Sequence, residues 1–168
     1  HGFRRAGAAV HITGTREAAS YAGEEGSDLE GLAYHRLDIG RDDEVAAFAA
    51  AWSGGLNVLV NSVGMVAYKR QEFEMPTFRR VMDVNLNGVF HICTLFKDRL
   101  AATRGSIVNI ASLASFSSTR NNPAYSASKG GLAILTKTLA DNWGREGVRV
   151  NGIAPGFVAS KLTKVSRD

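Results

Sequence analysis

Short apolar runs alternate with longer helical patterns along the chain, and this alternation constrains the fold most strongly. The short runs predict strands and the longer patterns predict helices. Predicted strands occupy residues 8–13, 32–38, 56–61, 106–112 and 148–153, and predicted helices occupy residues 42–52, 77–102 and 123–143. Because the strands are apolar on both faces, the pattern predicts a doubly wound α/β fold with a parallel sheet covered by helices. No repeat or linker is evident, so residues 1–168 are expected to form a single domain.

Composition narrows the classes of protein and of partner. The chain has 168 residues, of which 45% are hydrophobic, enough for one core but not for two. No apolar run approaches the ~18 residues of a membrane span, and no signal peptide opens the chain, so we expect a cytoplasmic protein without a membrane partner. The net charge of +4 comes from cations scattered among acids. That distribution is typical of a solvated surface and argues against nucleic-acid binding.

Metal and thiol chemistry find little support in the sequence. The four histidines show no metal-ligand spacing, so no metal is predicted. The single cysteine, Cys93, lies in an apolar stretch and is interpreted as a core residue.

Tyr125 and Lys129 stand at positions i and i+4 of a predicted helix and so share one face, while Ser112 ends a predicted strand upstream. A nearby ammonium favours the phenolate form of a tyrosine, which suits that residue to proton transfer. A serine hydroxyl can hold the substrate oxygen while its proton moves. Taken alone, the pair is also consistent with a half-buried aromatic residue and a solvated lysine.

Polar and glycine-containing turns follow several predicted strands. They comprise Asn61 to Gly64 after the third strand, Ser112 at the end of the fourth, and Pro155-Gly156 after the fifth. The carboxyl ends of parallel strands meet at one edge of a sheet, where such folds bind ligands. These residues are therefore expected to contribute to a common site.

Taken in order, four segments resemble the classical short-chain dehydrogenase/reductase family: residues 58–64, 84–88, 106–112 with the Tyr-Ser-Ala-Ser-Lys run, and 149–156. The resemblance implies a ketone and secondary alcohol oxidoreductase with a catalytic tetrad of Asn85, Ser112, Tyr125 and Lys129. Tyr125 would transfer the proton, Lys129 would favour its phenolate and bind the nicotinamide ribose, and Ser112 would hold the substrate oxygen. Asn85 would support a water that relays protons to Lys129.

The same resemblance assigns cofactor contacts. Asn61 and Gly64 keep the first and last residues of the family's Asn-Asn-Ala-Gly turn, while Ser62 and Val63 replace the middle pair. Pro155 and Gly156 match the turn beside the nicotinamide, and Ser160 stands where the family usually has a threonine that reaches the cofactor. Asp38 matches the position that contacts the adenine amino group.

The end of the first predicted strand bears on which cofactor is used. An acidic residue there would bind the ribose 2'-hydroxyl of NAD, whereas Gly14, Thr15 and Arg16 leave room for the 2'-phosphate of NADP and supply a cation. NADP is therefore predicted, with NAD as the alternative. Arg16 is also consistent with a solvated residue at the start of a helix, and Glu17 beside it would oppose its charge.

The chain departs from the family at both ends. It lacks the family's first strand and TGxxxGxG turn, and it stops soon after Ser160, so we expect an incomplete α/β domain whose absent strand would lie between those at residues 8–13 and 56–61. The alternatives left open are a non-catalytic nucleotide-binding or regulatory protein and an inactive fragment. The resemblance also implies a homodimer or homotetramer formed through the helices at 77–102 and 123–143.

Overall fold

The computed structural model describes residues 1–21 and 28–158. The chain divides into two compact units between Asp38 and Ile39. The helices are α1 Gly2–Arg5, α2 Asp42–Ala51, α3 Met75–Met82, α4 Gly88–Ala102 and α5 Pro123–Trp143. The strands are β1 His11–Gly14, β2 Ala33–Arg36, β3 Val58–Asn61, β4 Ser106–Ile110 and β5 Arg149–Ile153. Helices and strands alternate in the order that the sequence predicts, and the doubly wound, Rossmann-like α/β class is confirmed.

The first unit contains a two-stranded parallel sheet. Strand β1 pairs with β2 in a register that places His11 opposite Ala33 and Gly14 opposite Arg36. Predicted at residues 8–13 and 32–38, both strands are shorter in the structure. Thr15 and Arg16 follow the carboxyl end of β1, and Asp38 follows that of β2. In each case the predicted cofactor residue therefore comes after a strand end.

The second unit contains a three-stranded parallel sheet in the order β3-β4-β5. Val58 pairs with Ser106, and Ser106 in turn pairs with Arg149. The connections between these parallel strands pass through α3 and α4 and through α5, as the sheet requires. In the central strand β4, Ile107 and Asn109 are buried while Val108 and Ile110 are half-buried, so the expected burial on both faces is met only in part.

Strand β3 departs from the expectation that every strand is buried on both faces. Val58 is 39% exposed and Val60 is 40% exposed, whereas Asn61 at the end of the strand is buried. Side chains alternate between the faces of a strand, so residues 58 and 60 share one face. Within the described residues, that face is covered only in part. The polar Asn61 is buried more deeply than its valine neighbours, the reverse of what hydrophobicity alone predicts.

The helical segment predicted at residues 77–102 begins earlier and is not uniform. It extends from Met75 to Ala102, with a π-helical turn over Asp83–Asn87 between α3 and α4. Such single π turns inside α-helices are frequent at functional sites. The turn contains Asn85, whose side chain is completely buried. Asn85, predicted as a tetrad residue, therefore lies in an irregular turn within the helix.

Glycine at position 88 is required by a close backbone approach. A Cβ atom built on Gly88 would lie 1.9 Å from the backbone oxygen of Ile39, a distance that no side chain can adopt without moving backbone. Gly144 offers a matched control, because its backbone is helical and a Cβ there meets nothing within 4 Å.

We expect Gly88→Ala to lower the free energy of unfolding by about 2–4 kcal/mol, since overpacking displaces backbone. Gly144→Ala should leave stability unchanged or raise it by about 0.5–1 kcal/mol, because alanine restricts the unfolded chain. Urea denaturation followed by circular dichroism measures both variants. Equal stability of the two variants would show that the Ile39 contact does not constrain the helix.

Candidate active site

Lys129 lies on α5 with its ammonium at the carboxyl ends of β3 and β4. Its side chain is buried, with only 3% of the residue exposed. Nζ donates to the backbone oxygen of Ile110 at 2.7 Å and to that of Val63 at 3.4 Å. Burial lowers the pKa of Lys129 to about 8, because a low-dielectric environment disfavours the charged form. The strand-end site predicted from the sequence thus contains a buried cation.

Tyr125 lies one turn before Lys129 on the same helix. The Lys129 Nζ is 6.0 Å from the centroid of the Tyr125 ring. This separation follows from the i and i+4 spacing, which places both side chains on one face of the helix. A Cβ built on Gly64 would lie 3.8 Å from the same Nζ. The structure therefore brings together Tyr125, Lys129 and Gly64 of the predicted set.

Ser112 stands in extended conformation just after β4 and caps a short turn over Leu113–Ser115. Its Oγ accepts a hydrogen bond from the Ala114 backbone N–H at 3.1 Å. Its own backbone N–H donates to the Ser115 Oγ at 3.3 Å, and that hydroxyl donates to the Lys129 backbone oxygen at 2.7 Å. Ser115 therefore links the Ser112 turn to the helix that carries Tyr125 and Lys129.

The Pro155-Gly156 turn is fastened to the same region. The Leu113 backbone N–H donates to the Pro155 oxygen at 3.0 Å, and a Cβ on Gly156 would lie 3.3 Å from a methyl group of Leu113. Ser160 lies outside the described residues. The structure thus places two of the three predicted residues after β5 beside the Ser112 turn.

Asn85 has its amide engaged by the protein itself. Its Oδ1 accepts from the Met65 backbone N–H at 2.7 Å, and its Nδ2 donates to the Met65 oxygen at 2.9 Å. The same Nδ2 donates to the Ser128 Oγ at 3.1 Å, and Ser128 donates to the Tyr125 backbone oxygen at 2.8 Å. Asn85 thus holds the segment that follows Gly64 against α5. Its role in supporting a water stays a prediction.

Asn61 is part of a buried polar chain that the sequence did not reveal. Its Nδ2 donates to the Asn109 Oδ1 at 2.8 Å and to the Cys93 Sγ at 3.2 Å. Asn109 donates in turn to the Thr136 Oγ1 at 2.9 Å. Burial raises the pKa of the Cys93 thiol to about 12, so the thiolate is disfavoured and Cys93 is a core residue, as predicted.

The predicted adenosine contacts lie in the first unit. The Arg16 guanidinium carbon is 4.2 Å from the centroid of the Tyr21 ring, and the Tyr34 hydroxyl donates to the Arg16 backbone oxygen. Glu17, expected to oppose the charge of Arg16, has its carboxylate 3.4 Å from the Arg36 guanidinium. Asp38 is half-buried just after β2. Binding by Thr15, Arg16 and Asp38 stays a prediction.

Comparison with known proteins identifies the family. A family model described as short chain dehydrogenase matches residues 1–168. The chain belongs to the short-chain dehydrogenase family. The predicted resemblance to this family is therefore confirmed.

Two curated short-chain dehydrogenases illustrate the range of relatives. The chain is 35% identical to a 2-dehydro-3-deoxy-D-gluconate 5-dehydrogenase from Bacillus subtilis over 97% of this chain and 67% of that protein. It is 31% identical to a 7alpha-hydroxysteroid dehydrogenase from Escherichia coli over 96% of this chain and 66% of that protein. The chain thus spans about two thirds of the length of these relatives.

A solved short-chain dehydrogenase shares the fold. The crystal structure of a gluconate 5-dehydrogenase from Burkholderia cenocepacia, in complex with NADP and tartrate, superposes with a TM-score of 0.85 at 30% identity. The match covers 99% of this chain and 68% of that one. Short-chain dehydrogenases are oxidoreductases, and the general reaction class follows from this membership.

Some residues around the predicted tetrad gave no signal in the sequence of this short-chain dehydrogenase. Glu72, Ser115 and Ser128 each bond the backbone of Tyr125 or Lys129. Asn122 donates to Glu72 and to the Ala67 backbone oxygen. Their residue types are common in loops and on helix surfaces, and only the tertiary structure shows that they are directed inward.

Two kinds of feature are absent from the described residues. In residues 1–21 and 28–158, no helix is long and apolar enough to cross a membrane. The same residues contain no group of three or more His, Cys, Asp or Glu side chains that could hold a metal ion.

Proposed function

We propose that the protein interconverts a ketone and a secondary alcohol with a nicotinamide cofactor, and that Tyr125 donates and accepts the proton. The observation that carries the proposal is the buried Lys129 ammonium, one helical turn from Tyr125 and 6.0 Å from its ring centroid. A buried cation interacts strongly with charge that develops nearby, since burial strengthens charge interactions. The tyrosine can then exchange a proton with a substrate oxygen.

Ser112 supports this role because its hydroxyl accepts one hydrogen bond from the protein and keeps its own proton available. Its Oγ accepts from the Ala114 N–H, and no protein group in the described part of the chain accepts from its O–H. That O–H is available to donate to a carbonyl oxygen, while Tyr125 passes its proton to the same oxygen. In the reverse direction, the phenolate would take the proton of the alcohol. Ser112 would hold and polarise the carbonyl, as oxyanion donors do.

The residues around Lys129 fit the ribose of a nicotinamide cofactor. An ammonium has three N–H donors, and the described residues give Nζ two acceptors, the Ile110 and Val63 oxygens. The third donor is available for a ribose hydroxyl. Glycine at position 64 leaves the space beside Nζ without a side chain. When bound, the reduced cofactor supplies the hydride for the carbonyl carbon.

We propose NADP as the cofactor, in agreement with the NADP complex of the Burkholderia cenocepacia relative. Thr15 and Arg16 would bind the 2'-phosphate and Asp38 the adenine. Asn61, Gly64, Pro155, Gly156 and Ser160 would contact the nicotinamide half, together with Tyr125 and Lys129. A homodimer or homotetramer and a cytoplasmic location stay predictions.

A panel of ketones tests the proposed reaction. Keto forms of sugar acids and of hydroxysteroids, together with simple cyclic ketones, are mixed with the protein and either NADPH or NADH, and the absorbance of the reduced cofactor is followed. Turnover of at least one ketone supports the proposal. No turnover of any ketone, together with no change in NADPH fluorescence on mixing, would overturn it.

Arg16→Ala tests the choice of cofactor. We expect the KM for NADPH to rise about 10- to 100-fold, because a charged hydrogen bond to the phosphate is lost, whereas the KM for NADH should stay the same. Arg145→Ala removes the same charge from an exposed turn and serves as the control. Equal effects of Arg16→Ala on both cofactors would contradict the predicted phosphate contact.

A further inference from the structure

Glu72 is a buried carboxylate that none of the proposed steps uses. It lies in a short turn over Gln71–Phe73 and is 0% exposed. An ionised group in the interior is expensive unless hydrogen-bond donors surround it. The burial of Glu72 therefore depends on the donors that surround its carboxylate.

Among the residues that the structure describes, the three partners of the Glu72 carboxylate are all N–H donors. Oε1 accepts from the Ala67 backbone N–H at 3.0 Å and from the Asn122 Nδ2 at 3.3 Å. Oε2 accepts from the Tyr125 backbone N–H at 2.9 Å. An ionised carboxylate accepts from all of them without rearrangement. One buried group thus connects the segment after Gly64 with the first turn of α5.

The contact between Glu72 and Tyr125 lies in the first turn of α5, where it can cap the helix. The first N–H groups of a helix have no partner within the helix and attract negative charge. Here Pro123 has no N–H, and the N-cap residue Asn122 makes no side-chain capping bond. Asn122 instead donates to the Ala67 oxygen at 2.9 Å. Glu72 therefore caps α5 from a different segment, at Tyr125 itself.

The backbone of Tyr125 is held on both sides. Glu72 accepts from its N–H at 2.9 Å, and the Ser128 hydroxyl donates to its C=O at 2.8 Å. Ser128 is in turn held by Asn85. Fixing the peptide groups of a residue limits the positions that its side chain can reach, and a displacement of ~1 Å from productive geometry can reduce a rate ~100-fold.

We propose that Glu72 is a positioning residue that fixes Tyr125 for proton transfer by accepting its backbone N–H. This role rests on the proposed function, because it acts through Tyr125. It differs from a purely structural role, because the Tyr125 bond can be removed separately from the bonds to Ala67 and Asn122.

Glu72→Gln removes the bond to Tyr125 while it keeps an acceptor for Ala67 and Asn122. Glutamine keeps one acceptor oxygen, which is best placed toward the two donors of Ala67 and Asn122, and its amide NH2 group then faces the Tyr125 N–H. Asn122→Ala does the opposite, because it removes donors to Glu72 and Ala67 and leaves the Tyr125 bond in place. Glu74→Gln makes the same chemical change at an exposed position two residues away.

We expect Glu72→Gln to lower kcat about 10- to 100-fold per folded molecule, with the Kd for NADPH unchanged. Asn122→Ala should lower the free energy of unfolding but keep kcat within about threefold. Glu74→Gln should match the parent protein in both quantities. Equal losses of kcat in Glu72→Gln and Asn122→Ala, after correction for the folded fraction, would overturn the proposal.

Hydrogen exchange at the Tyr125 amide provides a readout that needs no turnover. Measured by NMR, this exchange should be at least about tenfold faster in Glu72→Gln and unchanged in Glu74→Gln, because a lost hydrogen bond permits local opening. Unchanged exchange in Glu72→Gln would overturn the proposal. If the parent protein reduces no ketone, the proposed function fails, and the exchange result alone decides whether Glu72 holds Tyr125.

Glu72→Asp is the second variant if Glu72→Gln does not fold. It keeps the charge but is one methylene shorter, so the carboxylate cannot reach both segments at the present distances. Faster exchange at Tyr125 and a lower kcat are expected again. If a folded Glu72→Asp protein has the same Tyr125 exchange rate and the same kcat as the parent, the positioning role is contradicted.

Discussion

Tyr125→Phe is expected to reduce turnover at least about 10²- to 10⁴-fold, the usual contribution of a positioned general acid or base. The substitution removes only the phenolic oxygen, and Tyr125 is half-buried, with its hydrogen bonds to Glu72 and Ser128 made by the backbone. Those bonds remain in phenylalanine. The free energy of unfolding should therefore change by less than about 0.5 kcal/mol, as for substitutions away from buried networks.

The measurement pairs initial rates with thermal melting. Ketone reduction is followed through the absorbance of NADPH, and the fold is followed by circular dichroism. Tyr68→Phe removes the same atom from a tyrosine outside the proposed tetrad and should keep the rate within about twofold. Retention of parent activity by Tyr125→Phe would refute its assignment as the proton donor, whatever the behaviour of the control.

Lys129→Met is expected to cause the second large loss of activity. Removing the ammonium takes away both the cation near the Tyr125 ring and the donor proposed for the ribose, so kcat/KM should fall at least about 10²-fold. The Kd for NADPH should also rise, which separates this variant from Tyr125→Phe. Fluorescence titration with NADPH and initial rates measure the two effects. Lys137→Met, on the same helix two turns later, is the control for loss of a lysine charge.

The buried Lys129 also predicts how stability depends on pH. Its pKa is about 8 in the folded protein and ordinarily 10.5, so between these values the unfolded chain binds a proton that the folded chain has released. Stability rises with pH wherever the unfolded state binds more protons. The contribution of Lys129 to the free energy of unfolding should thus increase from about pH 8 to about pH 10.5.

The comparison with Lys129→Met isolates this contribution. Other groups titrate in the same range, including Cys93, so the quantity of interest is the difference between parent and variant in urea denaturation at each pH. That difference should shift in favour of the parent by about 1–3 kcal/mol between pH 8 and 10.5, at about 1.4 kcal/mol per unit of pKa. A difference that is constant with pH would show that Lys129 is not desolvated in the folded protein.

The sequence predicted the fold where local patterns and tertiary structure agree. Helix α5 begins at Pro123 and ends at Trp143, as its apolar periodicity and its first-turn proline predict. Strand β4 pairs at the centre of its sheet with Ile107 buried, and Ser112 follows it at the expected place. The strands of the first unit were predicted longer than observed, because boundary residues are set by pairing with a neighbour more than by propensity.

The residue types of the candidate site could be predicted from the sequence, but the residues that hold them in place could not. Spacing alone placed Tyr125 and Lys129 on one helix face, because the period of the helix is fixed. Glu72 could not be found in this way, since its three partners lie 5, 50 and 53 positions away in the chain. The π turn at Asn85 was equally hidden, because an amide in a helical pattern does not show which groups it will bind.

The polar chain through the sheet also selects the register in which β3 pairs with β4. Asn61 lies directly opposite Asn109, and their amides are joined across the sheet. A shift of β3 by two residues would keep every side chain on its correct face, so the apolar pattern barely opposes such an error. The same shift would place Asn61 opposite Ile107 or Ala111 and break the hydrogen bond between the two buried amides, which costs about 1–3 kcal/mol when a buried group loses its partner. Two asparagines thus distinguish the native alignment from errors that the hydrophobic residues tolerate.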